Sequence, residues 1–257
     1  MSVQVKNLSF SYGENPVLKD VSFTANDGEL MAVLGPNGVG KSTLFRCMLG
    51  LLREYEGETL IDGENIRNMS ARELARRVAY IPQSHYPAFN YSVFDMVLMG
   101  TISQVSGVSS PGKKQIELVN RAMDRLKISH LKTRGYTQIS GGERQLTLIA
   151  RALAQEAKVL IMDEPTSNLD YGNQLRVMAE IKSLAEEGYT IIESTHSPDQ
   201  AFMYADRILA ILDGRVLALG PPRETIDGEL IRKLYGVDVE IHSFRNDSIR
   251  ICVPNLQ

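Results

Sequence analysis

The chain has 257 residues, with 28 Lys and Arg against 31 Asp and Glu and a formal net charge of −3. This length allows one large domain, or a core with an inserted subdomain. Because the charges nearly balance, we expect no basic surface field and no nucleic-acid partner.

The two cysteines, Cys47 and Cys252, are far apart, and neither has a His or Cys beside it at metal-binding spacing. We expect two reduced thiols in a cytosolic protein, with a disulfide or metal role as the alternative. No apolar run approaches the about 18 residues that a membrane-spanning helix needs. The first residues lack the basic-then-apolar order of a secretory signal, so we expect a soluble chain.

The first part of the chain predicts strands on both sides of a glycine-rich loop. Residues 2–10 and 17–25 alternate apolar and polar side chains, which favours two half-buried antiparallel strands. The segment ELMAVL (29–34) is almost wholly apolar, as in a parallel strand covered on both faces. After the loop, helical spacing and then GETLIDG (57–63) predict a helix and another short strand.

A second helix is predicted from its start signal. Ser70 and Glu73 have the spacing of a capping box, so a helix is expected from residue 71. It leads into the strand VAYIP, which Pro82 ends. From about 88 to 157 the sequence predicts helices and polar loops, including a loop over 101–114, and we interpret this region as a helical insertion into an α/β core.

The core pattern resumes after the helical region. We predict a strand at 158–164, a helix at about 172–187, a strand at 189–195 and a hairpin whose turn is Asp213-Gly214. The last thirty residues predict a short helix and two strands. The expected domains are an α/β core (1–87 with 158–225), an inserted helical subdomain (88–157) and a small C-terminal extension (226–257).

The loop between the apolar strand and the next helix matches G-x-x-x-x-G-K-[ST], from Gly35 to Ser42. Glycines allow backbone N–H groups to surround a phosphate, and a helix N-terminus adds partial positive charge. Lys41 is expected to reach the β and γ phosphates, and the Ser42 hydroxyl to bind Mg²⁺. The alternative is a glycine-rich turn with a chance lysine.

Two adjacent carboxylates, Asp163 and Glu164, end the apolar strand VLIMD. Parallel sheets place their ligands beyond the carboxyl ends of strands. We therefore expect Asp163 to hold Mg²⁺, and Glu164 to orient or deprotonate the attacking water. A solvated start of a loop is the alternative.

Together these residues resemble the ATPase subunit of ABC transporters over nearly all of 2–225. The most specific element is ISGGERQLTLIARAL (139–153), which looks like the signature segment of that family. The resemblance implies a P-loop NTPase (RecA-like) α/β core, an N-terminal antiparallel β subdomain and an inserted helical subdomain. It also implies hydrolysis of ATP with Mg²⁺.

The signature segment opens a helix with Ser140, Gly141 and Gly142, which offer a hydroxyl and exposed N–H groups as a second anion site. In the family this site binds the γ-phosphate held by another subunit, so the resemblance implies a head-to-tail homodimer with two ATP molecules. An ordinary capped helix is the alternative. Glu143 stands where Gln is commonest, which puts a nucleotide contact there in doubt, and Ile139 replaces the usual Leu.

The resemblance implies roles for further residues. Tyr12 matches the aromatic that stacks on adenine, Gln83 the glutamine that touches Mg²⁺ or water, and His196 the switch histidine at the γ-phosphate. Ser167 to Asp170 resemble the loop that crosses the dimer interface. The implied catalytic residues are Glu164, His196, Gln83 and Lys41, the metal ligands are Ser42, Gln83 and Asp163, and the nucleotide contacts are Tyr12, Gly35, Pro36, Asn37, Gly38, Val39, Gly40, Lys41, Ser42, Thr43, Ser140, Gly141, Gly142, Glu143 and Asp170.

Gln83 and Ser140 are only 57 positions apart, which excludes the long coiled-coil insertion of chromosome-maintenance ATPases. Several stretches, such as YSVFDMVLMG and PTSNLDYGNQLRVM, are similar to importers of iron-siderophore, haem and cobalamin type. The resemblance therefore implies transmembrane permease subunits docked around 84–105, indirect work with a solute-binding protein, and a peripheral location at the cytoplasmic face of the inner membrane. The alternatives are another transport system, a soluble ABC-type ATP switch or a nucleic-acid-linked ATPase, the last opposed by the charge balance.

One residue fits none of these roles. Glu193 lies inside the apolar strand at 189–195, where a carboxylate is costly unless it is paired or reaches the ligand end.

Overall fold

The computed structural model describes residues 1–83, 89–104, 111–246 and 249–255. It divides into two compact units. The first unit comprises Met1–Asn68 and Leu184–Gln257, and the second comprises Met69–Ser183. The division by role expected from the sequence, with its boundaries near 87, 157 and 225, stays a prediction.

An antiparallel sheet forms one part of the first unit. Its strands lie in the order β2, β1, β4, β5, and they are β1 (Val3–Tyr12), β2 (Asn15–Ala25), β4 (Glu56–Ile61) and β5 (Glu64–Asn65). Val3 pairs with Ala25 and Phe10 with Leu18, which confirms the predicted antiparallel pair. The register slips where Asn7 and Asp20 adopt positive φ, and the Asn7 amide donates to the Asp20 carboxylate at 2.8 Å. These bulges twist the pair locally.

The other sheet of the first unit contains the buried parallel strands. Its order in this unit is β10, β9, β3, β8, with β3 (Leu30–Leu34), β8 (Thr190–Thr195), β9 (Arg207–Leu212) and β10 (Arg215–Gly220). Every residue of β3 and β8 is buried, and β3 runs parallel to both β8 and β9, as predicted. Asp213 and Gly214 both have positive φ in the turn between β9 and β10, which confirms the hairpin.

The second unit pairs two parallel strands with helices. Strand β6 (Val78–Ile81) runs parallel to β7 (Val159–Asp163). The α-helices that begin in this unit are α2 (Ala71–Arg77), α3 (Val93–Leu98), α4 (Lys113–Arg125), α5 (Gly141–Ala154) and α6 (Tyr171–Glu186). This content confirms the helices predicted between 88 and 157. The predicted loop over 101–114 is wrong at both ends, because 101–104 continue a 3₁₀ helix and α4 begins at Lys113, while 105–110 lie outside the described residues.

Helix α2 begins where its capping signal placed it. The Ser70 hydroxyl accepts from the Glu73 N–H at 3.2 Å, and the Glu73 carboxylate accepts from the Ser70 N–H at 2.8 Å. Two of the N–H groups that a helix start leaves unpaired are thereby satisfied.

The C-terminal segment covers one face of the parallel sheet in the first unit. The remaining elements there are α1 (Lys41–Met48), α7 (Pro198–Tyr204), α8 (Pro222–Thr225), α9 (Gly228–Tyr235), β11 (Val239–Phe244) and β12 (Ile249–Pro254). Leu230, Ile231 and Leu234 of α9 join Ala32 of β3 and Ala201 of α7 in a single buried cluster. The predicted terminal helix and two strands are confirmed, whereas α7 and α8 were not predicted. In the described ranges, none of the helices combines the length and apolar character needed to cross a membrane.

Glu193 is buried in the middle of β8. It pairs in parallel register with Ala32, so its side chain points to the face on which the C-terminal cluster packs. Among the described residues, neither of its carboxyl oxygens has a hydrogen-bond partner. Burial raises the pKa of Glu193 from 4.5 to about 8, so the carboxyl stays protonated in the folded chain at neutral pH.

The pH dependence of stability follows from this shift. Between about pH 4.5 and pH 8 the unfolded chain loses the Glu193 proton while the folded chain keeps it, so the free energy of unfolding falls as the pH rises through this window. Glu193→Met removes the titrating group, so the change that it makes in the free energy of unfolding depends on pH. We expect this change to be more stabilising at pH 8 than at pH 5, by on the order of 2–4 kcal/mol. Urea unfolding at the two pH values measures this difference.

Ile191→Met is the matched control, because Ile191 lies on the same face of β8 and is also fully buried. Its effect on stability is expected to be the same at both pH values. A pH-independent effect of Glu193→Met would contradict a raised pKa.

Candidate active site

The loop from Gly35 to Gly40 joins the buried end of β3 to the start of α1. Lys41 is buried, and its ammonium donates to the carbonyls of Gly35 at 2.6 Å and Pro36 at 3.2 Å. The Lys41 side chain therefore folds back over the loop, and its ammonium group lies at the carbonyls on the inner side of the turn. Pro36, Asn37, Gly38 and Val39 form the more open side of the loop.

The glycines of this loop are required by backbone angle or by close packing. Gly38 and Gly40 have φ values of 86° and 106°, which L side chains rarely adopt. A Cβ on Gly35 would lie 2.5 Å from the carbonyl oxygen of Ile211 in β9. Substitution of these glycines is therefore unfavourable. The same restraints fix the directions of the backbone N–H groups of the loop.

Helix α1 begins directly at Lys41. Among the described residues, no side chain caps its N-cap Gly40, and its first turn carries no acidic residue. Its first N–H groups are thus left for an external acceptor, which favours an anion. The Ser42 side chain is exposed at this end, whereas that of Thr43 is buried.

Tyr12 ends β1 as an exposed ring. It meets Phe10 edge to face, with the ring centroids 4.8 Å apart and the planes at 87°. This contact fixes the orientation of the Tyr12 ring and leaves part of the ring exposed for stacking.

The end of β7 places the two predicted carboxylates in different surroundings. Asp163 is buried as the last residue of the strand, and the Tyr80 hydroxyl donates to it at 3.5 Å. Glu164 adopts a φ of 44°, and its carbonyl accepts from both the N–H and the hydroxyl of Ser167. The Gln83 amide donates to the Glu164 carboxylate at 3.0 Å, so Gln83 and Glu164 lie together.

Helix α5 opens with a capping box. The Ser140 N–H donates to the Glu143 carboxylate at 2.8 Å, and the Glu143 N–H donates to the Ser140 hydroxyl at 3.3 Å. These bonds from Ser140, with smaller help from His130 and Arg134, hold the pKa of Glu143 below its usual range. Glu143 thus remains a carboxylate engaged by its own helix start, while Ser140 stays exposed.

The start of α5 lies against the start of α6. A Cβ on Gly142 would lie 2.5 Å from the Asn173 amide oxygen, and one on Gly141 would lie 3.1 Å from Leu169. Asn173 also donates through its N–H and its amide to Asp170, and these bonds lower the pKa of Asp170. The structure thus brings together the signature segment and the Ser167 to Asp170 loop, two motifs that the sequence presents separately.

His196 follows β8 as an exposed side chain. The next residue, Ser197, is the N-cap of α7, and its hydroxyl accepts from the Gln200 N–H at 3.3 Å. His196 belongs to the first unit with Tyr12 and the Gly35 to Thr43 loop. Gln83, Asp163, Glu164, Asp170 and the signature segment belong to the second unit.

Comparison with known proteins identifies the family of this chain. The family described as ABC transporter matches residues 18–167, more than half of the chain. The chain belongs to the ABC transporter family. The P-loop ATPase fold that the resemblance implied is thereby confirmed.

Three similar proteins illustrate the match. The hemin import ATP-binding protein HmuV of Bordetella pertussis is 36% identical over 250 residues, which cover 94% of each chain. The ferric enterobactin transport ATP-binding protein FepC of Escherichia coli K12 is 34% identical over 233 residues, or 90% of this chain and 86% of that one. A solved structure described as 'an inward-facing conformation of a putative metal-chelate type ABC transporter' matches with a TM-score of 0.88 and 31% identity, over 100% of this chain and 98% of that one.

ABC transporter ATP-binding proteins hydrolyse ATP, and this chain is an ATP hydrolase of that family. The roles of its individual residues stay predictions. Tyr80 and Asn173 were not among the predicted site residues, because nothing in a sequence marks a tyrosine inside a strand or an asparagine inside a helix as a partner of Asp163 or Asp170.

Alanine substitutions at Gly35 and Gly38 test whether the loop needs its glycines to bind ATP. We expect Gly35→Ala to lower the affinity for ATP by about tenfold or more, because the new Cβ would meet the backbone of Ile211 and displace the loop. Gly38→Ala, whose Cβ would have no described atom within 4 Å, is expected to lower the affinity less, through backbone strain of about 1 kcal/mol. Isothermal titration calorimetry measures both.

Gly63→Ala is the matched control, because Gly63 also has positive φ and open space around its Cβ but lies in the turn between β4 and β5. It is expected to cost similar stability and to leave ATP affinity unchanged. Equal losses of affinity for Gly35→Ala and Gly63→Ala would contradict a specific role for the loop packing.

Proposed function

We propose that this ABC ATPase is the energy-coupling subunit of an importer for an iron-chelate, haem or cobalamin-type substrate. It works with a transmembrane permease at the cytoplasmic face of the inner membrane and, indirectly, with a solute-binding protein. The observation that carries the proposal is the match along nearly the whole chain to ATPases named for hemin and ferric enterobactin import. The full-length likeness to a metal-chelate type transporter supports the same substrate class.

The residues of the first unit bind the nucleotide in this proposal. Tyr12 stacks on the adenine, and the N–H groups from Gly35 to Thr43 surround the phosphates. Lys41 already lies on the inner side of the loop, where its ammonium can exchange a carbonyl for a phosphate oxygen. His196, exposed just after the buried end of β8, donates to the γ-phosphate.

The residues of the second unit prepare the water. Glu164 acts as the general base, and its bond to Gln83 holds the carboxylate in one orientation before the reaction. The bonds from Ser167 to the Glu164 carbonyl stabilise the positive φ that sets this direction. Such positioning lowers the entropic cost of reaching the transition state.

The predicted magnesium ligands have suitable chemistry. Ser42 and Gln83 offer a hydroxyl and an amide oxygen, and Asp163 a carboxylate, which are the hard oxygen donors that Mg²⁺ prefers. When bound, Mg²⁺ supplies charge that neutralises the phosphate oxygens. The nearly complete burial of Asp163 supports this assignment, since a buried carboxylate is stabilised by a cation.

Two copies are proposed to clamp head to tail around two ATP molecules. The exposed Ser140 hydroxyl, with the N–H groups of Gly141 and Gly142, offers the anion site for the partner's γ-phosphate. Its neighbour Asp170 lies on the loop proposed to cross the interface, next to the largely exposed Tyr171. Glu143 supports this site by capping the helix, and the contact with nucleotide passes through Ser140 and the glycines.

The base and the clamp are tested together by Glu164→Gln. We expect ATP hydrolysis to fall by at least about a hundredfold, because the amide cannot take the proton, while ATP binding is retained. An ATP-bound dimer should accumulate, and size-exclusion chromatography with Mg-ATP measures it.

Glu117→Gln, on the exposed side of α4, is the control and should leave the chain as active as the parent. A Glu164→Gln protein that binds ATP yet stays monomeric at high ATP would overturn the proposed clamp. Full activity of that variant would remove Glu164 from its role.

The docking surface for the permease is proposed around residues 84–105, of which 84–88 and 105 lie outside the described residues. In the described part, Phe89 is 69% exposed and Ile102 68% exposed, and Phe89 meets the exposed Tyr91 edge to face. Large apolar side chains in this state favour a partner that covers them.

A charged side chain in this surface is expected to separate the ATPase from its permease. Ile102→Glu should prevent copurification with a coexpressed permease, because the carboxylate would be buried without a partner, and should leave ATP binding intact. Val237→Glu, at a residue 48% exposed in the C-terminal segment, is the matched control and should copurify normally.

The reconstituted complex tests the substrate class. Its ATP hydrolysis in liposomes is expected to rise when the solute-binding protein carries an iron chelate, haem or cobalamin, and Ile102→Glu should abolish the rise. Turnover that no permease or substrate changes would favour a soluble ATP switch.

A further inference from the structure

The C-terminal hairpin of β11 and β12 is attached to the helix that follows His196. The backbone N–H of Cys252 in β12 donates to the Asp199 carboxylate at 2.8 Å. Asp199 is in the first turn of α7, three residues after His196. A segment at the far end of the chain thereby holds the first turn of a helix that begins beside a proposed catalytic residue.

The Cys252 N–H is free for this contact because of the register of the hairpin. Asn255 donates its N–H to the carbonyl of Asp238 across the hairpin, and N–H groups along an antiparallel strand point alternately toward and away from the partner strand. Cys252, opposite Ile241, therefore points its N–H outward. Pro254 lies on the same outward side, where a missing N–H costs no ladder bond.

Two hydrogen bonds join the residues on either side of His196 to the first turn of α7, in which Asp199 lies. The Ser197 N–H donates to the Thr195 hydroxyl at 3.1 Å, and Thr195 in turn donates to Gln200 at 3.3 Å. Thr195 is buried at the end of β8, so it is held by the sheet. His196 thus lies between a residue held by β8 and the N-cap of α7.

Helix α7 has only seven residues and depends on its surroundings for stability. Its buried Ala201 packs in the cluster with α9, and its first turn is held by Asp199 at the hairpin. Loss of the Asp199 bond would remove one of the contacts that hold this turn, and a shift of the turn would move Ser197 and His196.

We infer that Asp199 is a positioning residue for His196, and that the C-terminal hairpin, through the Cys252 N–H, sets the geometry of the switch histidine. This inference rests on the proposed contact of His196 with the γ-phosphate. It gives the C-terminal extension a role in hydrolysis in addition to covering the core.

Cys252→Pro tests the inference in the full chain, because it removes the outward N–H and leaves the ladder bonds of the hairpin. We expect kcat for ATP hydrolysis to fall about tenfold, since small displacements of a catalytic group have large effects on rate. KM for ATP should stay within about twofold, because the phosphate loop is untouched. A merely structural role would not separate kcat from KM in this way.

Cys252→Ala is the reference for Cys252→Pro, because both variants lose the thiol and only Cys252→Ala keeps the N–H. The thiol itself also bonds Asp199, and burial followed by the charge and hydrogen bond of Asp199 raises its pKa to about 12. The comparison between the two variants therefore isolates the contribution of the N–H. Arg250→Met is a second control, since Arg250 donates to the Arg223 carbonyl in α8 and ties the hairpin to another element. Arg250→Met should keep the parent kcat, and kcat of Cys252→Pro should fall well below that of Cys252→Ala.

Asp199→Ala removes the carboxylate that accepts the Cys252 N–H. If Cys252→Pro does not fold, this variant tests the role of the bond. His196→Ala is measured in parallel. If His196→Ala lowers kcat while Asp199→Ala and any folded Cys252→Pro keep the rate of Cys252→Ala, the inference is overturned and the proposed function stands. If His196→Ala keeps the parent kcat, the proposed role of His196 fails and the inference falls with it.

Discussion

Strands buried on both faces can carry polar side chains at little cost only where they end, and this constraint governs the molecule. All residues of β3, β7 and β8 are buried, and proposed site residues lie at or just beyond the last residue of each. The phosphate loop follows β3, Asp163 and Glu164 end and follow β7, and His196 follows β8. The apolar strands supply rigidity, and the polar groups after them can therefore be held in set directions.

Glu193 is the exception that shows how strict this constraint is. Its carboxyl lies inside β8 without a described partner, and the protein keeps it there by holding its proton. The polar groups at or near the strand ends each have a hydrogen bond instead: Asp163 with Tyr80, Glu164 with Gln83, and Lys41 with two carbonyls.

The starts of helices α2 and α5 have the same local structure but different surroundings. The capping boxes of α2 and α5 are built alike from a serine and a glutamate three residues later. The capping box of α2 only satisfies N–H groups that the helix start leaves unpaired. The capping box of α5, in addition, lies against the Asp170 loop, where Gly142 meets Asn173. The same capping box therefore stabilises a helix start in both places, and at α5 its neighbours place the proposed anion site beside the Asp170 loop.

The sequence by itself determined the strands, because their apolar runs and alternation are local, and it determined the motif residues, because G-x-x-x-x-G-K-[ST] and the Ser70 and Ser140 caps act within a few positions. It also predicted the Asp213-Gly214 hairpin from turn chemistry. Only the tertiary structure decided that Tyr80 supports Asp163, that Asn173 fills the space beside Gly142, and that Cys252 reaches Asp199 across 53 positions. Such pairs depend on how distant segments pack, and no local pattern of residue types carries that information.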